Sequence, residues 1–126
     1  MHVKPRVLIV DNNEHVLEHL AADLAAAGYD AETTWSGREA LGRLQSGGFG
    51  FLILDEYLPD LYVGDFLSQL SQFASPPHVV LMRADPKKAI KFPHPRKMAV
   101  VDKSHTDQLL QELFEARQGL SKSGRH

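Results

Sequence analysis

The chain has 126 residues, the length of one ordinary domain, which buries about two thirds of its unfolded surface in a single core, so we expect no multidomain enzyme. With 43% hydrophobic and 24% charged residues and no cysteine, it has the composition of a globular protein without a disulfide framework or a thiolate nucleophile. Sixteen acidic against fourteen basic residues indicate neither a general nucleic-acid binder nor an acidic disordered chain. No apolar run approaches the ~18 residues needed to cross a bilayer, so we expect a cytoplasmic protein with no membrane contact.

The first part of the chain alternates apolar strands with amphipathic helices. Residues 6–10 are a continuous apolar run that predicts a buried strand, and residues 13–27 place leucines at helical spacing. Residues 29–35 partly alternate and carry two threonines, which favours a strand near a sheet edge. A second helix is expected from Ser36, because Ser36 and Glu39 have the spacing of a capping box.

The same alternation continues past the middle of the chain. Residues 51–54 are apolar throughout and predict a buried strand that ends at acidic residues. A helix is expected over residues 64–73, and residues 78–82 predict a fourth strand after a pair of prolines.

The last third of the chain contains one segment with weak helical signals. Three prolines confine any helix between the fourth and fifth strands to about two turns, around residues 87–92, because proline lacks an amide hydrogen and clashes with the preceding turn. Residues 98–101 predict the fifth strand, and an amphipathic helix follows. We expect one domain over residues 1–117 and a flexible tail over residues 118–126.

Apolar strands alternating with amphipathic helices predict an α/β domain, a doubly wound five-stranded parallel sheet with helices on both faces and a shortened fourth helix. In this architecture the functional crevice lies beyond the carboxyl ends of the strands. The polar residues that follow the strands are therefore the candidates for chemistry.

Three of these strand ends carry charged residues that suit phosphoryl transfer. Asp11 and Asp55 are expected to converge, and Asn12 could add a neutral oxygen or a contact through water. Oxygen ligands without sulfur favour Mg²⁺ or Mn²⁺, and Lys103 supplies a compact positive charge for a phosphate oxygen. Asp55 could then be the nucleophile, although an acid at a strand end also commonly caps the next helix.

Residues 7–14, 52–59 and 100–103 together resemble the receiver domain of bacterial two-component response regulators. The most specific element is a strand ending in Asp55 with Pro59 four residues later. The resemblance covers nearly the whole predicted domain and implies a flavodoxin-like sheet with strand order 2-1-3-4-5.

The resemblance also implies roles for individual residues. Asp55 would accept a phosphoryl group from a histidine kinase or a phosphotransfer protein, and Lys103 would contact the phosphate. Mg²⁺ would be bound by Asp11, Asp55 and the backbone carbonyl of Tyr57. The chain would then be a stand-alone signalling domain, at most catalysing its own phosphorylation and dephosphorylation, rather than a turnover enzyme.

Four positions depart from the family pattern. Asn12 replaces the second of two adjacent acids, which weakens the expected Mg²⁺ site. Arg83 replaces the hydroxyl residue that ends the fourth strand, Val100 replaces the aromatic switch residue, and Ser104 replaces the proline after the lysine. The relay of hydroxyl and aromatic side chains is therefore absent from the sequence.

Arg83 has three readings that the sequence leaves open. Its guanidinium could pair with Asp55 or Asp11 in the place of the metal, or it could bind a phosphoryl group on Asp55. It could also be a solvated charge at the start of a loop.

The departures lead to two main hypotheses and a weaker third. The first is an atypical receiver that is phosphorylated on Asp55 and signals through protein contacts. The second is a pseudo-receiver, an interaction module that does not depend on phosphorylation, with Arg83 replacing the usual Thr or Ser. A cofactor or nucleotide binder of similar fold is disfavoured, because no glycine-rich phosphate loop follows the first strand.

A basic segment indicates where a partner would bind. Residues 83–97 carry six of the fourteen Lys and Arg residues and a single acid. By the family resemblance, this segment and the fifth strand form the signalling face, which would suit an acidic protein partner or a second copy of the chain. Nucleic acid is disfavoured for want of aromatic stacking residues, and a plain solvated face is the alternative.

Overall fold

The computed structural model describes residues 3–119, which form a five-stranded parallel sheet and four helices. The strands are β1 (Arg6–Val10), β2 (Asp30–Thr34), β3 (Phe51–Asp55), β4 (His78–Arg83) and β5 (Ala99–Asp102). The helices are α1 (Glu14–Ala26), α2 (Gly37–Gln45), α3 (Val63–Leu70) and α4 (Thr106–Arg117). The strands pair in the order β2-β1-β3-β4-β5, which confirms the predicted doubly wound fold and its strand order.

The sheet separates two apolar cores, because successive side chains of a strand point to opposite faces. Val7 and Ile9 of β1 pack in the core that contains the buried leucines of α1 and α4. Leu8 and Val10, which alternate with them, pack in the core that contains α2 and α3. Burial on both faces explains why the central strands are apolar throughout.

Local hydrogen bonds explain where the first two helices begin. Asn13 caps α1, since its side-chain oxygen accepts the backbone N–H groups of His15 at 3.0 Å and Val16 at 3.3 Å. Ser36 caps α2 by accepting the backbone N–H of Glu39 at 3.0 Å, as the capping-box spacing predicts.

The prediction of a shortened fourth helix around residues 87–92 is wrong. The segment between β4 and β5 contains only turns, bends and irregular chain. Its prolines remove backbone donors, so a short helix there lacks enough hydrogen bonds to offset the cost of nucleation. Ile90 and Phe92 of this segment nevertheless pack against the core beside α3. A loop thus covers a part of the sheet face where a helix was expected.

The last helix, α4, lies at the end of the described part of the chain. α4 ends at Arg117, and Gln118 and Gly119 form a turn behind it. The rest of the predicted tail, residues 120–126, lies outside the described residues. No helix in the described part of the chain is long and apolar enough to cross a membrane.

Candidate functional site

The carboxyl ends of β1 and β3 and the residue after β5 bring together Asp11, Asp55 and Lys103, which we call the acidic crevice. Lys103 Nζ lies 3.1 Å from Oδ2 of Asp11 and 3.1 Å from Oδ1 of Asp55. Asp11 and Asp55 are only 2% and 4% exposed. One ammonium group therefore faces two buried carboxylates, and the cluster carries more negative than positive charge.

This arrangement shifts the titration of Asp55 and Lys103. Burial and the neighbouring charge of Asp11 raise the pKa of Asp55, although contact with Lys103 and a hydrogen bond from the backbone N–H of Tyr57 oppose the rise. Burial alone would lower the pKa of Lys103, but its contacts with Asp55 and Asp11 raise it overall. Lys103 is therefore firmly protonated, whereas Asp55 loses its proton less readily than an ordinary aspartate.

The donor set of the acidic crevice fits a weakly held Mg²⁺. Mg²⁺ commonly uses one or two carboxylates and keeps several waters, and Asp11 and Asp55 supply two carboxylates. Lys103 competes for the same oxygens, and Oδ1 of Asp11 already accepts the N–H of Asn13 at 2.9 Å. Asn12 is exposed and lines a separate hollow beside Trp35. Within residues 3–119 no group of three or more His, Cys, Asp or Glu residues could hold a metal ion.

Arg83, at the end of β4, is buried with 2% of its surface exposed. Its Nη2 lies 2.8 Å from Oε2 of Glu56, and its Nη1 donates to the backbone carbonyl of Lys88. Its Nε is buried and finds no hydrogen-bond partner among the described residues. The hydrogen bond to Glu56 raises the pKa of Arg83 against the effect of burial, so the guanidinium group stays protonated.

These contacts exclude two of the three readings of Arg83 that the sequence leaves open. It pairs with neither Asp55 nor Asp11, and it is not a solvated charge. The register of β3 and β4 provides the reason. Asp55 lies opposite Met82, so the residues that follow them in the two parallel segments, Glu56 and Arg83, are neighbours. Glu56 could have been recognised from the sequence as the acid next to Asp55, but its partner required the register of the strands.

Comparison with known proteins is consistent with this fold. The family model described as the response regulator receiver domain matches residues 7–116. The chain belongs to this family. No curated protein matches it at a significant level.

Solved receiver structures show how far the likeness of this receiver domain extends. A CheY-like receiver domain from Methylobacillus flagellatus is 20% identical, with a TM-score of 0.67, and the match covers 86% of this chain and 98% of the other. The chemotaxis response regulator CheY4 of Vibrio cholerae is 23% identical, with a TM-score of 0.62 and the same coverage. The signal receiver domain of an HD domain-containing protein from Pseudomonas fluorescens Pf-5 is 25% identical, with a TM-score of 0.72, and the match covers 95% of this chain and 89% of the other.

The end of β5 ties the acidic crevice of the receiver domain to Arg83. The backbone N–H of Lys103 donates to the carbonyl of Arg83 at 2.9 Å. The N–H and the hydroxyl of Ser104 both donate to Oδ1 of Asp102, at 2.9 and 2.7 Å, and shape the turn after Lys103. Val100 pairs with Leu81 and packs half-buried against the core beside α3.

Asp60, in the loop after β3, makes contacts that the sequence did not predict. Its carboxylate accepts the hydroxyl of Ser36 at 2.8 Å and the backbone N–H groups of Gly37 at 2.9 Å and Arg38 at 3.1 Å. Desolvation opposes the shift, but these hydrogen bonds lower the pKa of Asp60. These hydrogen bonds attach the loop after Asp55 to the start of α2. The residues that they join are far apart in the sequence, so no local sequence pattern predicts the contact.

Proposed function

We propose that this receiver domain accepts a phosphoryl group on Asp55 as an atypical response regulator and signals through contacts with other proteins. The observation that supports the proposal is the acidic crevice: a carboxylate at the end of β3 with an ammonium group 3.1 Å away. Family membership establishes that the chain is a receiver domain and does not extend to its phosphorylation.

The proposed reaction transfers a phosphoryl group from a phosphohistidine of a kinase or phosphotransfer protein. A carboxylate oxygen of Asp55 attacks the phosphorus, the phosphorus–nitrogen bond breaks with its electron pair passing to the imidazole, and an acyl phosphate forms. Lys103 changes partners from the carboxylate to the new phosphate oxygens and balances their charge. Asp11, Asp55 and the carbonyl of Tyr57 would hold Mg²⁺, which supplies further positive charge to the transferred group.

The reaction needs Asp55 in its ionised form. Because burial and Asp11 raise the pKa of Asp55, we expect the rate of phosphorylation to keep rising with pH above the range in which an ordinary aspartate is already ionised. Mg²⁺ would lower this pKa and extend the reaction to lower pH.

Intact-mass measurement tests the proposal. We expect wild type incubated with Mg²⁺ and acetyl phosphate to acquire a labile phosphoryl adduct and Asp55→Asn to acquire none. A standard receiver domain in the same reaction is the positive control. If that control is modified and wild type is not, the proposal is refuted.

The buried Arg83–Glu56 pair favours a second candidate, a pseudo-receiver whose contacts do not depend on phosphorylation. By the family resemblance Arg83 stands where a hydroxyl residue would contact the phosphoryl group, and its side chain instead pairs with Glu56 and binds the loop between β4 and β5 at Lys88. On this hypothesis wild type and Asp55→Asn bind the same partners equally well.

The proposed partners follow from the two surfaces. The kinase or phosphotransfer protein would approach the acidic crevice, and a downstream protein or a second copy of the chain would bind the face formed by residues 83–97 and β5. The net positive charge of that segment supports an acidic partner.

A further inference from the structure

The loop that replaces the expected fourth helix leaves an open cleft beside the loop after β3. The cleft has a volume of about 260 Å³ and reaches Arg83 and Glu56. Apolar side chains of Leu58, Leu61 and Val63 form one side of it. This volume is near the lower end of the roughly 300–1,000 Å³ typical of small-molecule sites, and it suits one or two protein side chains.

Exposed aromatic residues border the cleft. The side chains of Tyr57 and Tyr62 are 65% and 59% exposed, although both line an apolar hollow. The ring of Tyr62 packs edge-on against Phe92, with ring centroids 6.1 Å apart. Gly64 makes room for this ring, since a Cβ at Gly64 would lie 2.5 Å from Tyr62 Cε2. Large exposed aromatic side chains around an apolar hollow are typical of protein-binding surfaces.

The opposite rim of the cleft is basic. Lys88 and Lys91 line it and are exposed, and within residues 3–119 neither ammonium group forms an ion pair. The third cation, Arg83, is already neutralised by Glu56. The free positive charge is therefore concentrated on two flexible side chains at the mouth of the cleft, where carboxylates of a partner can reach it.

We propose that this cleft binds an acidic peptide segment of a partner protein. One apolar or aromatic side chain of the segment enters between Tyr57, Tyr62 and Phe92, and neighbouring carboxylates pair with Lys88 and Lys91. The proposal rests on the proposed function only in that the domain signals through protein contacts, and it requires no phosphoryl group on Asp55.

Selection from a random peptide library tests the proposal. Phage-displayed dodecapeptides are panned against the unphosphorylated domain, and the enriched peptides are synthesised and titrated by fluorescence anisotropy. We expect enrichment of acidic residues next to an apolar or aromatic residue. Amide NMR shifts on titration are expected to cluster at Tyr57, Tyr62 and residues 88–92.

Charge reversal provides the matched control. Lys88→Glu and Lys91→Glu, each made singly, are expected to weaken peptide binding by about fivefold or more, because attraction becomes repulsion. Arg96→Glu changes the same loop by a like charge outside the cleft and is expected to alter binding by no more than about twofold. All three side chains are exposed, so the variants are expected to fold.

Several outcomes would overturn the proposal. These are the absence of enriched peptides, enrichment without acidic residues, NMR shifts away from the cleft, and equal weakening by Arg96→Glu. A nucleic-acid ligand would be indicated instead if a single-stranded oligonucleotide displaces the peptide and its affinity falls with every Lys or Arg residue that is removed from the loop.

The same selection separates this proposal from the proposed function. Peptide binding that survives Asp55→Asn, in a domain that never acquires a phosphoryl adduct, refutes the phosphoacceptor proposal alone. A domain that is phosphorylated but selects no acidic peptide refutes the cleft proposal alone.

Discussion

Two buried charge clusters lie side by side at the carboxyl ends of the strands, and they differ in how completely their charges are balanced. In the acidic crevice one lysine serves two carboxylates. In the neighbouring cluster, Arg83 has a single carboxylate partner, Glu56, and donates a second hydrogen bond to a backbone carbonyl. The first cluster retains unbalanced negative charge, whereas the second is neutral.

The difference indicates different roles for the two clusters. A cluster with excess negative charge lowers its free energy when it binds a cation, when a carboxyl group takes up a proton or when the lysine moves to a new anionic partner. Such a cluster can take part in a reaction. Removing either partner of an ion pair without net charge destabilises the fold, so such a pair resists change. The acidic crevice therefore suits a reaction, and the Arg83–Glu56 pair suits the attachment of a loop.

The comparison is tested most strongly by removing Arg83. We expect Arg83→Met to lower the free energy of unfolding by about 3 kcal/mol, because Glu56, which is largely shielded from solvent, loses its cationic partner. The double variant Arg83→Met with Glu56→Leu is expected to recover most of the loss. Chemical denaturation measures both. A loss of less than about 0.5 kcal/mol for the single variant would show that the Arg83–Glu56 pair does not stabilise the fold.

The second test removes the cation of the acidic crevice. We expect Lys103→Met to cost about 2 kcal/mol of stability at neutral pH, because two buried carboxylates then repel each other without compensation. The cost is expected to shrink at about pH 4, where the carboxyl groups take up protons. Denaturation curves at both pH values check this, and a cost independent of pH would mean that the loss comes from packing. The same variant is expected to abolish the phosphoryl adduct.

A smaller effect is expected at the loop that joins the acidic crevice to α2. Asp60→Ala removes three hydrogen bonds from the start of α2 and is expected to cost about 1 kcal/mol. Because folding lowers the pKa of Asp60, its contribution is complete above its ordinary value of 3.8 and is lost as the pH falls through the lower folded-state value. The difference between wild type and Asp60→Ala should therefore shrink in acid. Asp60→Asn, which keeps an acceptor oxygen, is the matched control.

The smallest expected effect has the opposite sign. Folding raises the pKa of Asp55, so ionised Asp55 destabilises the fold at neutral pH, and protonation removes this penalty as the pH falls through the raised value. We expect Asp55→Asn to stabilise the domain by about 0.5 kcal/mol at neutral pH, with no gain in acid. Thermal unfolding at several pH values measures the change. A destabilised Asp55→Asn would mean that the contact with Lys103 outweighs the unbalanced negative charge.

Much of the fold was predictable because its signals are local. Continuous apolar runs marked four of the five strands, and the side chains of Asn13 and Ser36 marked where α1 and α2 begin. The helix between β4 and β5 was mispredicted even though its prolines were visible, because a few residues of apolar spacing do not show whether a helix or a loop covers the sheet. In the folded domain a loop covers this part of the sheet, and its Ile90 and Phe92 pack against the core.

The sequence by itself determined the α/β architecture and the presence of Asp11, Asp55 and Lys103 at its strand ends, because strand position alone brings those three residues together. Tertiary structure decided which charges pair. The partner of Arg83 depends on the register between β3 and β4, and the partners of Asp60 lie across a loop in another element. Electrostatic pairing depends on distances of a few ångströms between segments far apart in the chain, and only the folded arrangement sets those distances.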